Sequence, residues 1–253
     1  CLVNSLERLS YTNKDGQYLR WDYRSDKVVA GNKKRIESGK QPFVTILDKG
    51  PIPGVVEVVL AEFDNMISDI TDVQSGDVSD IDAKIDFTED SVLTRLPLVD
   101  AETIDAVITS PPYCNRYDYT RTYALELAFL GLDNNGVKEL RQKLLSATVE
   151  NRSKLAELKA YYEGIGRVAD YDNTVSVISK CNALQESIAA LKARAINGEI
   201  NNKGVIRMVE GYFTELAFVF SEIHRTTKKG AHVAFVNDNV RYGGEIIPVD
   251  YIS

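Results

Sequence analysis

Apolar positions along the 253-residue chain change period from place to place, and the changes mark its elements. Ile104-Asp105-Ala106-Val107-Ile108-Thr109 has Val and Ile at its centre and predicts a buried strand of a parallel sheet. It must stop at Thr109 or Ser110, because Pro111 and Pro112 have no N–H to donate. Ala231–Val236 predicts a second buried strand; Phe43–Leu47 and Lys84–Phe87 predict short ones. Helical spacing starts at Val55 and continues through Val58, Val59, Ala61 and Met66, after which Ile70–Asp82 reads as a loop. Thr120–Leu130 is a helix closed by Gly131. Val137, Leu140, Leu144, Thr148, Leu155, Leu158 and Tyr162 predict one long amphipathic helix, broken at Gly164-Ile165-Gly166. A second helix runs from Thr174 to Ala195, ended by Gly198. A third starts at Asn202 or Gly204 and ends at Lys228-Lys229-Gly230. Near the start, Asn13-Lys14-Asp15-Gly16 signals a hairpin. Its second strand would set Tyr18, Arg20 and Asp22 on one face and Leu19, Trp21 and Tyr23 on the other.

Charge divides this picture. The net charge is −7, but residues 1–40 hold nine Lys/Arg against five Asp/Glu, while residues 48–105 hold three against fifteen. Nucleic-acid contact needs local positive charge, which the first segment has, interleaved with aromatic rings; a solvated hairpin explains the same residues. No apolar run reaches the roughly 18 residues of a membrane span. Cys1, Cys114 and Cys181 have no metal-ligand spacing, and an odd number of thiols suits a reduced, cytoplasmic protein. His224 and His232 stand apart, so no metal site is expected. The first residue is Cys rather than Met, which reads as a piece of a longer chain.

The strand at 104–109 feeds Ser110-Pro111-Pro112-Tyr113, and functional groups in open α/β sheets sit just beyond the carboxyl ends of strands. This stretch resembles motif IV (Asp/Asn/Ser-Pro-Pro-aromatic) of the amino-group DNA methyltransferases. These enzymes move a methyl group from S-adenosylmethionine to an exocyclic amine of adenine or cytosine. The resemblance implies that Ser110 Oγ and the Pro111 carbonyl accept hydrogen bonds from the target amine. Pro111 and Pro112 would fix the carbonyl direction, and Tyr113 would stack on a flipped base. Ser in first position favours cytosine N4 over adenine N6. It also implies an acid near the cofactor adenosine, which falls on Asp90, with Glu89 an equal geometric choice; Asp90 or Ser91 equally serves as N-cap of a short helix at Val92–Leu96. Asn237-Asp238-Asn239 corresponds to a region beside the target base, or to a polar turn, and Arg241-Tyr242-Gly243-Gly244 continues as a loop. Cytosine-C5 chemistry is disfavoured, since Cys114 follows Tyr113 rather than proline.

The resemblance therefore implies an α/β fold, a partial Rossmann-like methyltransferase sheet with a helical-hairpin insertion. Residues 1–42 would form a basic aromatic segment, 43–134 and 204–253 the α/β core, and 135–203 an insertion for target recognition or dimerisation. The implied function is S-adenosyl-L-methionine-dependent methylation of DNA; the alternative is a non-catalytic DNA-binding or assembly module of a restriction-modification system. One feature of the family is missing: its small, open glycine-rich cofactor loop. Asp48–Gly54 has the right neighbours but bulky Pro51, Ile52 and Pro53, and reads better as a linker before a surface helix. The loop is expected before Cys1 or after Ser253, or the chain is inactive alone.

Overall fold

The structure, a computed structural model, describes residues 1–43, 47–75 and 84–253. It is a mixed α/β protein with three two-stranded sheets among the described residues. The helices are α1 (Leu2–Leu9), α2 (Asp26–Glu37), α3 (Val55–Ser75), α4 (Val92–Arg95), α5 (Tyr119–Thr122), α6 (Ala124–Phe129), α7 (Asn134–Lys143), α8 (Leu155–Gly164), α9 (Val168–Ser179), α10 (Asn182–Ile196), α11 (Gly204–Thr226) and α12 (Val249–Ile252). The strands are β1 (Thr12–Asp15), β2 (Tyr18–Trp21), β3 (Ile104–Thr109), β4 (Thr227–Phe235), β5 (Val240–Tyr242) and β6 (Glu245–Ile247). The chain forms two compact units. One comprises Cys1–Phe87 with Tyr119–Val137, the other Thr88–Asp118 with Lys138–Ser253.

In the first unit β1 and β2 make the expected antiparallel hairpin, turned at Gly16 with φ +59°. Tyr18 and Arg20 face out, and Leu19 and Trp21 are half-buried. The alternation ends there: Asp22 is buried and Tyr23 exposed, the reverse of the expected pattern. The reason is electrostatic. Asp22 accepts from Arg24 Nε (2.8 Å), Arg24 Nη2 (2.9 Å) and the backbone N–H groups of Arg24 and Lys49, which hold its carboxylate inside. Side-chain hydrogen bonding from Arg24 holds the Asp22 carboxyl well below the usual carboxylate range. α3 is longer than the sequence pattern predicts, remaining helical through Ile70–Ser75. Of the strand expected at Phe43–Leu47, Val44, Thr45 and Ile46 lie outside the described residues; Leu47 forms a parallel bridge with Asp22.

The second unit is built on α11, whose 23 residues bury Val205, Met208, Val209, Tyr212, Phe213, Leu216, Phe218 and Ile223. One end of its apolar surface meets Leu184, Ile188 and Leu191 of α10 with Ile247 of β6. The other meets Leu158 and Tyr162 of α8, Tyr171 of α9 and Leu93 of α4. Two long helices were expected before α11, and there are four. The first breaks over residues 144–154, where Asn151 Oδ1 accepts from Thr148 N and Oγ1, and Ser146 turns to Glu215. Such short polar side chains offer the backbone partners that compete with the helical ladder. The second breaks at Lys180-Cys181, between α9 and α10. Likewise Tyr123 separates α5 from α6 within the single helix expected over Thr120–Leu130, although Gly131 ends it as expected, with φ +88°.

Three strand expectations need correction. Lys84–Phe87 forms no strand: Ile85 and Phe87 are almost fully exposed, and no neighbour among the described residues pairs with them. Lys228-Lys229-Gly230 does not end α11 but belongs to β4, which begins at Thr227. Arg241–Gly244 is not loop; β5 and β6 form a hairpin around Gly243 and Gly244, both at positive φ. β3 and β4 are parallel, as expected, with Thr109 opposite Phe235. They are not buried on both faces. Val107 packs on the α8–α9–α11 cluster, whereas Ile108, on the opposite face, is 85% exposed.

Candidate functional site

β3 ends at Thr109, and the Val236 N–H donates to the Thr109 carbonyl at 2.9 Å. This last bond keeps the two parallel strands together up to the point where both chains leave the sheet. Ser110 is exposed there, and Pro111, Pro112 and Tyr113 are half-buried in an irregular segment. Asn237, Asp238 and Asn239 leave β4 at the same end. The structure thus brings together two stretches that the sequence marks separately.

Two tyrosines fix these segments. The Tyr242 hydroxyl donates to the carbonyl of Cys114, immediately after Tyr113. Asn237 Nδ2 donates to the Tyr212 hydroxyl at 2.6 Å, which commits Asn237 to α11. Asn239 Oδ1 accepts from the Asp250 N–H at 3.2 Å. Asp238 is exposed, and its N–H bonds Asn237 Oδ1. Cys114 is fully buried, and burial pushes its thiol up. A buried thiol held in its protonated form is a poor nucleophile. Sequence reasoning misses Tyr242 and Tyr212. Tyr242 lies in a stretch that reads as loop, and Tyr212 in an apolar stripe that gives no hint of its hydroxyl.

Asp90 lies elsewhere. Its Oδ1 accepts from the Ser91 N–H (2.7 Å) and Thr94 Oγ1 (3.2 Å), and Ser91 Oγ caps α4 through the Leu93 N–H. No hydrogen bond among the described residues joins it to Ser110–Tyr113. α4 and the turn after it are clamped to α11. Arg225 Nη2 donates to the carbonyls of Leu96 (3.1 Å) and Val99 (2.7 Å), Arg167 Nη1 to that of Pro97 (3.0 Å), and both arginines bind Glu222. Glu222 and Glu215 are seven residues apart on the buried face of α11, and this spacing was the available signal for both.

Binding the polar end of a nucleotide-like cofactor calls for open backbone N–H groups at a glycine turn that starts a helix. β3 and β4 are followed by Ser-Pro-Pro and Val-Asn-Asp-Asn, neither of which is such a turn. The Asp48–Gly54 turn does lead into α3, but its Lys49 N–H donates to Asp22 Oδ2 (2.8 Å) and its Gly50 N–H to Asp48 Oδ1 (2.8 Å). Lys49 Nζ donates to the carbonyls of Glu7, Ser10 (3.0 Å) and Thr12 (2.6 Å), and Arg24 Nη2 donates to that of Gly50 (2.7 Å). Neither strand end, nor the Asp48–Gly54 turn, therefore presents an open glycine turn of this kind among the described residues.

No family model and no solved structure matches the chain. Curated relatives do. The chain is 55% identical over 252 residues to the Type II methyltransferase M.BsoBI of Geobacillus stearothermophilus, covering 100% of this chain and 49% of that protein. It is 38% identical over 254 residues to the Type II methyltransferase M.AvaI of a Nostoc species and of Anabaena variabilis, covering 99% of this chain and 48% of each relative. The chain spans about half the length of the curated relatives it matches. It is therefore similar, over nearly its whole length, to about half of each of these Type II methyltransferases.

Proposed function

We propose that the chain belongs to a DNA methyltransferase acting on an exocyclic base amine, with cytosine N4 favoured over adenine N6 and S-adenosylmethionine as methyl donor. The observation that carries this reading is Ser110-Pro111-Pro112-Tyr113 emerging from the carboxyl end of a parallel strand, in a chain whose relatives are named methyltransferases. The chemistry fits these residue types. A base amine is a weak nucleophile because its lone pair is delocalised into the ring. Ser110 Oγ and the Pro111 carbonyl, held by two locked φ angles, would accept its hydrogens and favour a pyramidal nitrogen. Tyr113 would stack on the flipped base, returning roughly 1–3 kcal/mol against an unstacking cost of a few kcal/mol. The buried, protonated Cys114 supports direct transfer over a cysteine-linked intermediate.

The cofactor supplies an electrophilic methyl group, and Asp90 is the acid proposed beside its adenosine. Residues 135–203 are proposed to recognise the target sequence or to mediate dimerisation. Tyr113→Ala in the whole protein tests the reading: methyl transfer to duplex DNA should fall at least tenfold while far-UV circular dichroism is unchanged. Unchanged turnover refutes it.

A further inference from the structure

We infer that α2, with the turn that follows it, is a docking surface for the phosphate backbone of DNA. This rests on the DNA methyltransferase reading and adds a contact surface remote in sequence from Ser110–Tyr113. α2 carries Lys27, Lys33, Lys34 and Arg35 against Asp26 and Glu37, and Lys40 follows within three residues. No residue of α2 is buried. Helices of about twelve residues are marginal without tertiary packing, and α2, with only Val28, Gly31, Asn32 and Arg35 half-buried, is held in part by its ends. Both of its ends are tied down. Ser25 Oγ accepts from the Val28 N–H at the N-terminus, and Arg35 Nε donates to the Gln41 carbonyl (2.7 Å) beyond the C-terminus, its guanidinium lying 4.8 Å from the centre of the Phe43 ring. Arg35 is thereby committed to structure.

Lys33, Lys34 and Lys40 are not: like Lys27, which lies over the Trp21 ring, all are exposed, and none of the four pairs with a carboxylate among the described residues. Lys27 and Lys34 are seven residues apart, two turns and roughly 10 Å along one line of the helix. Charge is also segregated within the unit, since α3 holds five acids and no base. A fold selected for its own stability would interleave these charges. Keeping unpaired lysines on a rigid exposed helix suits a polyanion, and the flanking rings, with Lys27 4.5 Å from the centre of Trp21 and Arg24 5.0 Å from that of Tyr11, add flat surfaces beside the cations.

The test is fluorescence anisotropy of the whole protein on a labelled duplex at several salt concentrations, with Lys33→Gln/Lys34→Gln/Lys40→Gln as the variant. Each phosphate left without its lysine removes about 0.9 from the slope of log K against log salt, so the three substitutions should lower it by about 2.7, equally on target and random duplexes. Circular dichroism checks that the variant is folded. An unchanged slope, a loss confined to the target sequence, or binding to anionic vesicles in place of the duplex overturns the inference. Failure of the underlying reading is separate: it is absence of methyl transfer to DNA by the unsubstituted protein.

Discussion

Removing Glu215 should be among the most damaging single changes in the second unit, and removing Lys154 with it should restore part of the loss. Glu215 is 2% exposed and Lys154 8%. The carboxylate takes both of its oxygens to Lys154 Nζ at 2.9 Å, and also accepts from the Ser146 N–H (2.9 Å) and Ser146 Oγ (2.5 Å). Burial raises the Glu215 carboxyl, and the Lys154 charge and the Ser146 donors oppose it. Glu215→Leu leaves an ammonium in the interior with Ser146 Oγ as its remaining partner, so the cost is that of a broken buried pair, about 3–5 kcal/mol. Lys154→Met/Glu215→Leu removes both charges and leaves only the two Ser146 donors orphaned, about 1–3 kcal/mol. The double variant should therefore be more stable than Glu215→Leu alone by about 2 kcal/mol. Urea titrations followed by far-UV circular dichroism across the four members of the cycle measure this directly. Additive losses, with the double variant worse than either single one, would refute the argument that the pair rather than its packing holds residues 144–154 on α11.

Acid should loosen the Asp22 turn. Its carboxyl is depressed by Arg24, so the stability it contributes is complete above the ordinary aspartate range and is lost as pH falls below that range toward the folded value. Fluorescence of the neighbouring Trp21 should report the loss, and Asp22→Asn should abolish this pH dependence. Tyr242→Phe should cost about 1–3 kcal/mol by orphaning the Cys114 carbonyl, and in the whole protein it should lower kcat for methyl transfer more than it raises KM; equal kinetics would show that the Ser110–Tyr113 segment needs no tether. The 253 residues alone should bind S-adenosylmethionine weakly or not at all by calorimetry. Micromolar affinity, about −8 kcal/mol, would mean that the Asp48–Gly54 turn opens to receive it.

Local pattern made the hairpin at Gly16, the strand end at Thr109 and the stops at Gly131, Gly166 and Gly198 legible, because each depends on a conformation that only a few residue types adopt. The breaks within the helices were not legible. Leu140, Leu144, Thr148 and Leu155 keep helical spacing through residues 144–154, and what overrides it is Glu215, some seventy residues further on. Burial of β3 failed for a related reason: an apolar strand predicts a covering layer, and Ile108 has none among the described residues. The Ser-Pro-Pro-Tyr motif was plain in the sequence, whereas the tyrosine hydroxyls that support its surroundings come from elements whose pairing is set by tertiary contacts.

The parallel pairing of β3 with β4 also has a consequence for biosynthesis. Phe235 follows Thr109 by 126 residues, so the strand that carries Ser110–Tyr113 waits for its partner throughout the synthesis of α5 to α11. At roughly 5–20 residues per second that interval is about 6–25 s. Closing a loop of this length carries an entropic cost whose length-dependent part is about 4 kcal/mol, and it falls on the pairing that brings Ser110 beside Asn237. The helices, built from local contacts, can form while the chain is still emerging. The edge of the sheet at which the two candidate segments meet can be assembled only after α5 to α11 have been made.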